Sequence, residues 1–173
     1  MELMKAIEAR YSCRGFLDEQ VSQAQLEQIL HAGMCAPVGL KLYDDFLITV
    51  IQDADFLTRF DKAADPVRRR PGSIFYGAPT VILVSGKVSQ EFAGLEQCSA
   101  SCILQNMLLA ATDLGLASVF IKNMVNVLNL APELLAELQL PQGFIPIAGM
   151  ALGYADAAHK DGATAHTIKV VIK

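Results

Sequence analysis

Two arginines and a serine near the start of the chain have the types and spacing that suit anion binding. They lie in the segment Arg10-Tyr11-Ser12-Cys13-Arg14, which follows a short amphipathic pattern. A guanidinium group offers a rigid fork of N–H donors that matches phosphate oxygens, and a hydroxyl adds a neutral donor. The segment therefore predicts a site for one anion at the end of a short helix. Surface charge, or favourable placement near a helix C-terminus, remains an open alternative for two arginines at this spacing.

Four cysteines are the other reactive side chains, and their spacing argues against a metal centre. Cys98 and Cys102 share one helical face, Cys13 and Cys35 lie far away in sequence, and no CxxC pair occurs. We interpret all four as buried, reduced structural thiols and expect no metal. A thiol redox protein that uses Cys98 and Cys102 is a minor alternative.

The sequence motifs of several common enzyme classes are missing. Gly72 and Gly77 have the spacing of a phosphate loop, but Ala78 occupies the lysine position. No GxGxxG follows a predicted strand, and neither an HExxH helix nor a GxSxG elbow occurs. P-loop, Rossmann, zinc-protease and serine-hydrolase functions therefore have no support.

The composition describes a protein with a large apolar core. Of the 173 residues, 53% are hydrophobic and 18% are charged, and the mean hydropathy is +0.36. This balance argues against disorder and predicts a single domain over residues 1–173. A monomer of this size would struggle to bury so much apolar surface, so we expect an extensive interface between copies. The formal net charge of −4 gives no support for binding to nucleic acid.

No segment predicts a membrane anchor. The N-terminus lacks the charged and apolar regions of a signal peptide, and the most apolar long window, 103–121, contains Asp113. An aspartate at the centre of a bilayer would cost roughly 3 kcal/mol, so this window is interpreted as a core helix followed by a strand. We therefore expect a soluble, cytoplasmic protein.

Apolar periodicity and turn residues predict an α+β chain. Ser22 and Gln25 form a capping-box pattern, Gly33 and Pro37 are expected to end the helix that follows, and Gly115 is expected to end the longest helix. Helices are predicted over 1–11, 22–33, 53–64, 89–114 and 132–138, and strands over 46–51, 80–84, 117–121 and 144–152. The apolar run at 46–51 suits a strand covered on both faces, and the tail at 166–172 suits an edge or exchanged strand.

Read in order, the motifs resemble the FMN-dependent nitroreductase family, especially its short members. The resemblance rests on Arg-x-Ser-x-Arg-x-Phe at residues 10–16, the Ala-Pro pair at 36–37, the Gly-Ala-Pro at 77–79 and the Gly-Tyr at 153–154. It implies an α-β-α sandwich in which helices flank a central, mostly antiparallel sheet. It also implies an intertwined homodimer with two FMN sites at the interface. NADH or NADPH would reduce the flavin, which would then reduce a small-molecule acceptor in ping-pong order.

The resemblance also assigns roles to residues. Arg10 and Ser12 would hold the FMN phosphate and ribityl chain, Arg14 would lie near the N1 edge of the ring, and Tyr11 would contact the ring through its backbone. After the third strand, the segment Phe120-Ile121-Lys122-Asn123 would offer a backbone N–H of Lys122 or Asn123 to flavin N5. No titrating side chain is needed as a catalytic residue, because the cofactor carries the hydride chemistry.

Two regions depart from the family pattern. The resemblance implies that one segment of each subunit reaches the FMN of the other, and in this chain that segment contains Val38, Gly39, Lys41 and Tyr43. Lys41 and Tyr43 stand where the family usually has amide side chains. In the C-terminal tail, Lys160 is the nearest candidate to complete the phosphate clamp. The arginine run 68–70 is interpreted as a solvated loop.

The sequence therefore predicts an FMN-dependent oxidoreductase acting on nitroaromatic, quinone-like or related electron-poor acceptors. The departures keep one alternative open, a non-catalytic dimer that binds or shuttles flavin.

Overall fold

A computed structural model describes residues 2–157 and 168–172. The chain runs in the order α1-α2-β1-α3-β2-α4-β3-α5-α6-β4. The helices are α1 (Leu3–Ala9), α2 (Gln23–Met34), α3 (Ala54–Ala63), α4 (Leu95–Asp113), α5 (Asn123–Leu130) and α6 (Pro132–Glu137). The strands are β1 (Phe46–Ile51), β2 (Thr80–Lys87), β3 (Ala117–Ile121) and β4 (Phe144–Gly153).

The four strands form one antiparallel sheet in the order β1-β2-β4-β3. The two long strands, β2 and β4, lie in the middle, and β1 and β3 form the edges. Side chains alternate across the sheet: Val81 and Leu83 of β2 face one apolar core, and Ile82 and Val84 face the other. The predicted α+β class and the antiparallel sheet are confirmed.

Helices cover both faces of the sheet and give the α-β-α layers that were predicted. On one face, α3, α5 and α6 contribute buried residues such as Phe60, Leu128 and Leu134. On the other face, α2 and α4 contribute residues such as Ile29, Leu104 and Met107. Many of the apolar side chains of the chain pack into these two cores.

Several local predictions are confirmed in detail. The Ser22 hydroxyl and the Gln25 side chain form the complete capping box of α2. The Asp53 carboxylate accepts the Phe56 N–H over 2.6 Å and caps α3. Gly115, with φ +74°, follows the end of α4.

Other boundaries were predicted wrongly. Gly33 does not end α2. It lies buried inside the helix, where a Cβ would meet Met107 Cγ at 2.9 Å, so it serves close packing against α4. α4 begins at Leu95 rather than at residue 89, because Ser89 lies in a local turn. The Ser89 hydroxyl accepts a hydrogen bond from the Phe92 N–H, and the Ser89 N–H donates to the Glu96 carboxylate.

The strand β1 has the predicted bounds but not the predicted burial, because it is an edge strand and its first five residues are half-exposed. The helix α5 was not predicted at all, since its start carries no Ser, Thr or Asp cap. The described part of the tail, 168–172, has no regular structure and is exposed; the remainder of that predicted strand lies outside the described residues. In the described part of the chain, no helix is long and apolar enough to cross a membrane.

Candidate active site

Residues 10–14, the arginine-rich segment, lie against β3, one of the two edge strands of the sheet. Ser12 and Ser118 form a parallel bridge, and the Cys13 N–H donates to the Ser118 carbonyl oxygen over 3.1 Å. Further along, Phe16 bridges Ala155 beyond the end of β4. These contacts fix the segment on the sheet, although it belongs to neither a helix nor a regular strand.

Arg10 and Phe120 line one open cleft of about 730 Å³ between this segment, β3 and α4. Phe120 is 38% exposed, an unusual state for a phenylalanine in a central layer, and its ring forms an apolar wall. Among the described residues that line the cleft, Arg10 carries the single charge and none is a carboxylate. The cleft therefore combines a cation with an aromatic surface, which suits an anionic, planar ligand.

The polar wall of this cleft comes from α4, and the sequence analysis did not identify it. Ser101, Cys102, Gln105 and Asn106 line the cleft beside Arg10. Their spacing of one and four residues places them on a single helical face, which is the signal that could have identified them. The Asn106 amide also donates to the Ala32 carbonyl oxygen over 3.1 Å and joins α4 to α2.

Two other residues of the predicted anion site have different surroundings. Arg14 is exposed, and its guanidinium reaches the Ser12 carbonyl oxygen at 3.4 Å. In the described part of the chain it forms no ion pair, so its donors can serve a ligand. Tyr11 is half-buried and packs against the core on the α3 side of the sheet, which leaves its backbone rather than its ring for contact with a ligand.

The turn from β3 into α5 follows Ile121 and carries backbone N–H groups beyond the end of β3, outside the lining of the cleft. Ile121 is buried, and both side chains that follow are engaged within the fold. The Lys122 ammonium donates to the Ile147 carbonyl oxygen over 2.5 Å, and the Asn123 amide oxygen accepts from Asn126 over 3.0 Å. The first N–H groups of an α-helix have no partner within the helix, so this turn offers donors for a ligand atom.

Val38, Gly39, Lys41 and Tyr43 do not join this cleft. Val38 and Tyr43 line a second, apolar cleft of about 550 Å³ beside α2, β1 and Ile103 of α4. Within one chain, Arg10 and Phe120 thus line one cleft and Val38 and Tyr43 line another, on different parts of α4. The other predicted site residues that the structure describes line neither of these two clefts.

The segment that carries Lys41 is held in an unusual conformation. Leu40 and Lys41 both have positive φ, at 54° and 58°, a region that costs a non-glycine residue of order 1 kcal/mol or more. The Gly39 N–H donates to the buried Ser99 hydroxyl over 3.1 Å, and a Cβ at Gly39 would overlap Leu95. These contacts hold the turn in its conformation, in which Lys41 and Tyr43 are exposed to solvent.

Arg68 lies outside the two clefts and is paired within the fold. Arg68 is held by the carboxylates of Asp61 and Asp65 and by the Gly72 carbonyl oxygen, and hydrogen bonds to Asp65 raise the pKa of its guanidinium further. It is therefore not available as a phosphate ligand. Lys160 lies outside the described residues.

The cysteines differ from the prediction. All four are free, but only Cys13 is buried, while Cys35 and Cys98 are exposed and Cys102 is half-buried. For Cys98 and Cys102 the error arose because small, weakly polar side chains on the accessible face of α4 resemble core residues in sequence; Cys35 directly follows the last residue of α2. Among the described residues no three potential ligands from His, Cys, Asp and Glu lie close enough together to hold a metal ion.

Comparison with known proteins identifies the family and the fold. Residues 7–154 match the model of the Nitroreductase family. A Methanothermobacter thermautotrophicus protein, provisionally named an NADH dehydrogenase/NAD(P)H nitroreductase, is 30% identical over 156 residues, covering 89% of this chain and 78% of its own. A crystal structure of a Bacteroides fragilis nitroreductase with bound FMN has a TM-score of 0.81 and 28% identity, with 99% and 100% coverage. A Desulfitobacterium hafniense nitroreductase has the same fold, with a TM-score of 0.86, 24% identity and 99% coverage of both chains.

Proposed function

The chain belongs to the nitroreductase family, and from that premise we propose that it is an FMN-dependent NAD(P)H oxidoreductase that reduces nitroaromatic, quinone-like or related electron-poor acceptors. Bound FMN would supply two-electron chemistry, taking a hydride from NADH or NADPH and passing two electrons to the acceptor. The family relationship and the FMN of the Bacteroides fragilis structure support the cofactor.

The observation that carries the proposal is the cleft that Arg10 and Phe120 share. FMN has a dianionic phosphate, a hydroxylated ribityl chain and a flat apolar ring. The cleft offers one guanidinium, amide and hydroxyl groups of α4, and an exposed phenylalanine, so the residues present fit this group. Arg10 and Ser12 would hold the phosphate and ribityl oxygens, and Arg14 would stabilise negative charge at the ring edge.

The acceptor class follows from what the cleft lacks. Among its described lining residues there is no carboxylate, histidine or lysine, and Cys102 carries the one thiol. Acceptors that take electrons without a dedicated protein acid, such as quinones and nitro groups, are therefore favoured over substrates that need general acid catalysis.

We further propose that the working form is a homodimer in which each copy completes the site of the other. Lys41 and Tyr43 lie in the exposed turn beside the second cleft, where they would reach the cofactor of a partner. Exposed apolar side chains support an extensive interface: Leu3, Met4, Met34 and Leu40 are each more than half exposed in the single chain.

A visible absorption spectrum tests the proposal. The purified protein is mixed with FMN, desalted and scanned, and then mixed with NADH or NADPH and menadione or a nitroaromatic compound under anaerobic conditions. We expect a retained flavin band that bleaches with the nucleotide and recovers with the acceptor. A retained band that no nucleotide bleaches would support the alternative, a dimer that binds or shuttles flavin without catalysis. A colourless protein would contradict both.

A further inference from the structure

Lys122 is the first residue after β3, and its side chain folds back onto the sheet. Its ammonium donates to the Ile147 carbonyl oxygen over 2.5 Å, a short, charge-assisted hydrogen bond. The residue as a whole is exposed, so burial does not force this conformation. The bond itself is what draws the side chain toward β4.

The register of the sheet explains why the Ile147 carbonyl needs a partner. β3 pairs with β4 only as far as Ile121 opposite Gly149. Two positions further along β4, Ile147 would face residue 123, where the chain has already turned into α5. On the other side, the pairing with β2 shifts between Val84 and Ser85, which leaves Ile147 without an opposite residue. The Lys122 ammonium thus provides a donor to a carbonyl at a position where the pairing is interrupted on both sides.

A second contact holds the same turn two residues further on. Met124 of α5 packs into the space above Gly149, where a Cβ would overlap the Met124 sulfur and approach the Ile82 carbonyl oxygen at 2.6 Å. The first turn of α5 is therefore fixed to β4 at two points, by Lys122 on Ile147 and by Met124 on Gly149. Together these contacts set the direction of the N–H groups at the start of the helix.

We propose that the Lys122 side chain is a positioning residue for the hydride-accepting edge of the flavin. By tying the β3–α5 turn to β4, it aims the backbone N–H groups of Lys122 and Asn123 at the flavin atom that exchanges the hydride. Donors fixed before the reaction stabilise developing charge without reorganising, so the bond matters for rate more than for binding. This inference rests on the proposed function.

The variants Lys122→Met and Lys122→Arg test it in the FMN-loaded protein. Methionine keeps the length of the side chain but cannot donate, whereas arginine can. The matched control is Lys87→Met, which removes a lysine of β2 that bonds Asp45 over 2.6 Å toward the other edge of the sheet, beside β1. FMN affinity is measured by fluorescence titration, and the reductive half-reaction by anaerobic stopped flow with NADH. Amide hydrogen exchange at residues 122–125 of the flavin-free protein supplies a readout that does not depend on activity.

For Lys122→Met we expect FMN affinity within about three-fold of the parent and flavin reduction slowed about ten-fold. Amide exchange should become faster at the start of α5. Lys122→Arg should recover most of the rate, and Lys87→Met should change neither quantity.

Two results would contradict this inference and leave the proposed function standing. One is flavin reduction in Lys122→Met at the parental rate, and the other is slow flavin reduction in Lys122→Met that is equally slow in Lys122→Arg. A parent protein that binds no FMN would overturn the proposed function and this inference together.

Discussion

Ser12 lies beside Ser118 of β3 in a parallel bridge, and this pairing joins the arginine-rich segment to the strand that carries Phe120. β3 is an edge strand, so its outer side is free to accept a further segment of chain. Phe120 follows Ser118 on the same face of the strand, and the long-range pairing therefore brings Arg10 to the same cleft as Phe120. The strength of anion binding should depend on this arrangement.

Arg10→Ala should weaken FMN binding about 10- to 100-fold, the usual loss when a charge-assisted hydrogen bond to phosphate is removed. Riboflavin lacks the phosphate, so its affinity should be the same in parent and variant. Fluorescence titration with both ligands measures the difference. An equal loss of affinity for FMN and riboflavin would show that Arg10 supports the fold of the cleft and not the phosphate.

Arg14→Ala should make the flavin harder to reduce, because the reduced, anionic ring loses a nearby positive charge. The midpoint potential, measured by equilibration with a reference dye, should become more negative, and Arg10→Ala should leave it nearly unchanged. The exposed Arg14 makes no ion pair among the described residues, so its loss should hardly affect thermal stability. An unchanged potential would contradict the role given to Arg14.

Gly149→Ala should destabilise the protein by about 1 to 3 kcal/mol, because the new methyl group meets the backbone carbonyl of Ile82 as well as Met124. Gly33→Ala is the matched control. There the methyl group meets only the flexible Met107 side chain, and alanine gains up to about 1 kcal/mol of helix propensity over glycine. Urea unfolding of the two variants should therefore give a clearly larger loss for Gly149→Ala, and equal losses would contradict the packing argument.

Ser99→Ala should cost about 1 to 3 kcal/mol, because it leaves the Gly39 N–H without its acceptor in a half-buried site. Ser101→Ala, two residues away on the exposed side of α4, should stay within about 0.5 kcal/mol of the parent. Amide exchange at Gly39 and Leu40 should accelerate only in Ser99→Ala. Unchanged exchange there would mean that the turn carrying Lys41 is held by Leu95 packing alone.

Glu137→Gln should lower stability at neutral pH and have no effect in acid. The Arg59 guanidinium binds both oxygens of Glu137, at 2.7 and 2.8 Å, and this hydrogen bonding lowers the pKa of the carboxyl below its usual value of 4.5. A carboxyl with a lowered pKa in the folded state stabilises the fold above its unfolded pKa and loses that contribution as the pH falls through the folded value. The effect should be small, since both side chains are largely exposed. Thermal unfolding of both proteins between pH 7 and 3 measures it, and a difference that does not shrink as the pH falls would contradict the assignment.

The sequence by itself determined the elements whose signals are local. The Ser22–Gln25 capping box, the helix that starts near Asp53 and the strands β1 and β3 were predicted with nearly the observed bounds, because caps and apolar runs act over a few neighbouring residues. The order of motifs also indicated the family that the comparisons support. α5 escaped prediction, since its start carries no capping residue and tertiary contacts at Lys122 and Met124 hold it instead.

Only the tertiary structure decided how the candidate site is assembled. Spacing in sequence could not show that Arg10 meets Phe120 and the polar face of α4, or that Val38 and Tyr43 line a separate cleft. These juxtapositions follow from the order of the strands and from the pairing of Ser12 with Ser118, which join residues far apart in the chain. Contacts of that kind depend on how whole elements pack, and local sequence patterns carry little information about them.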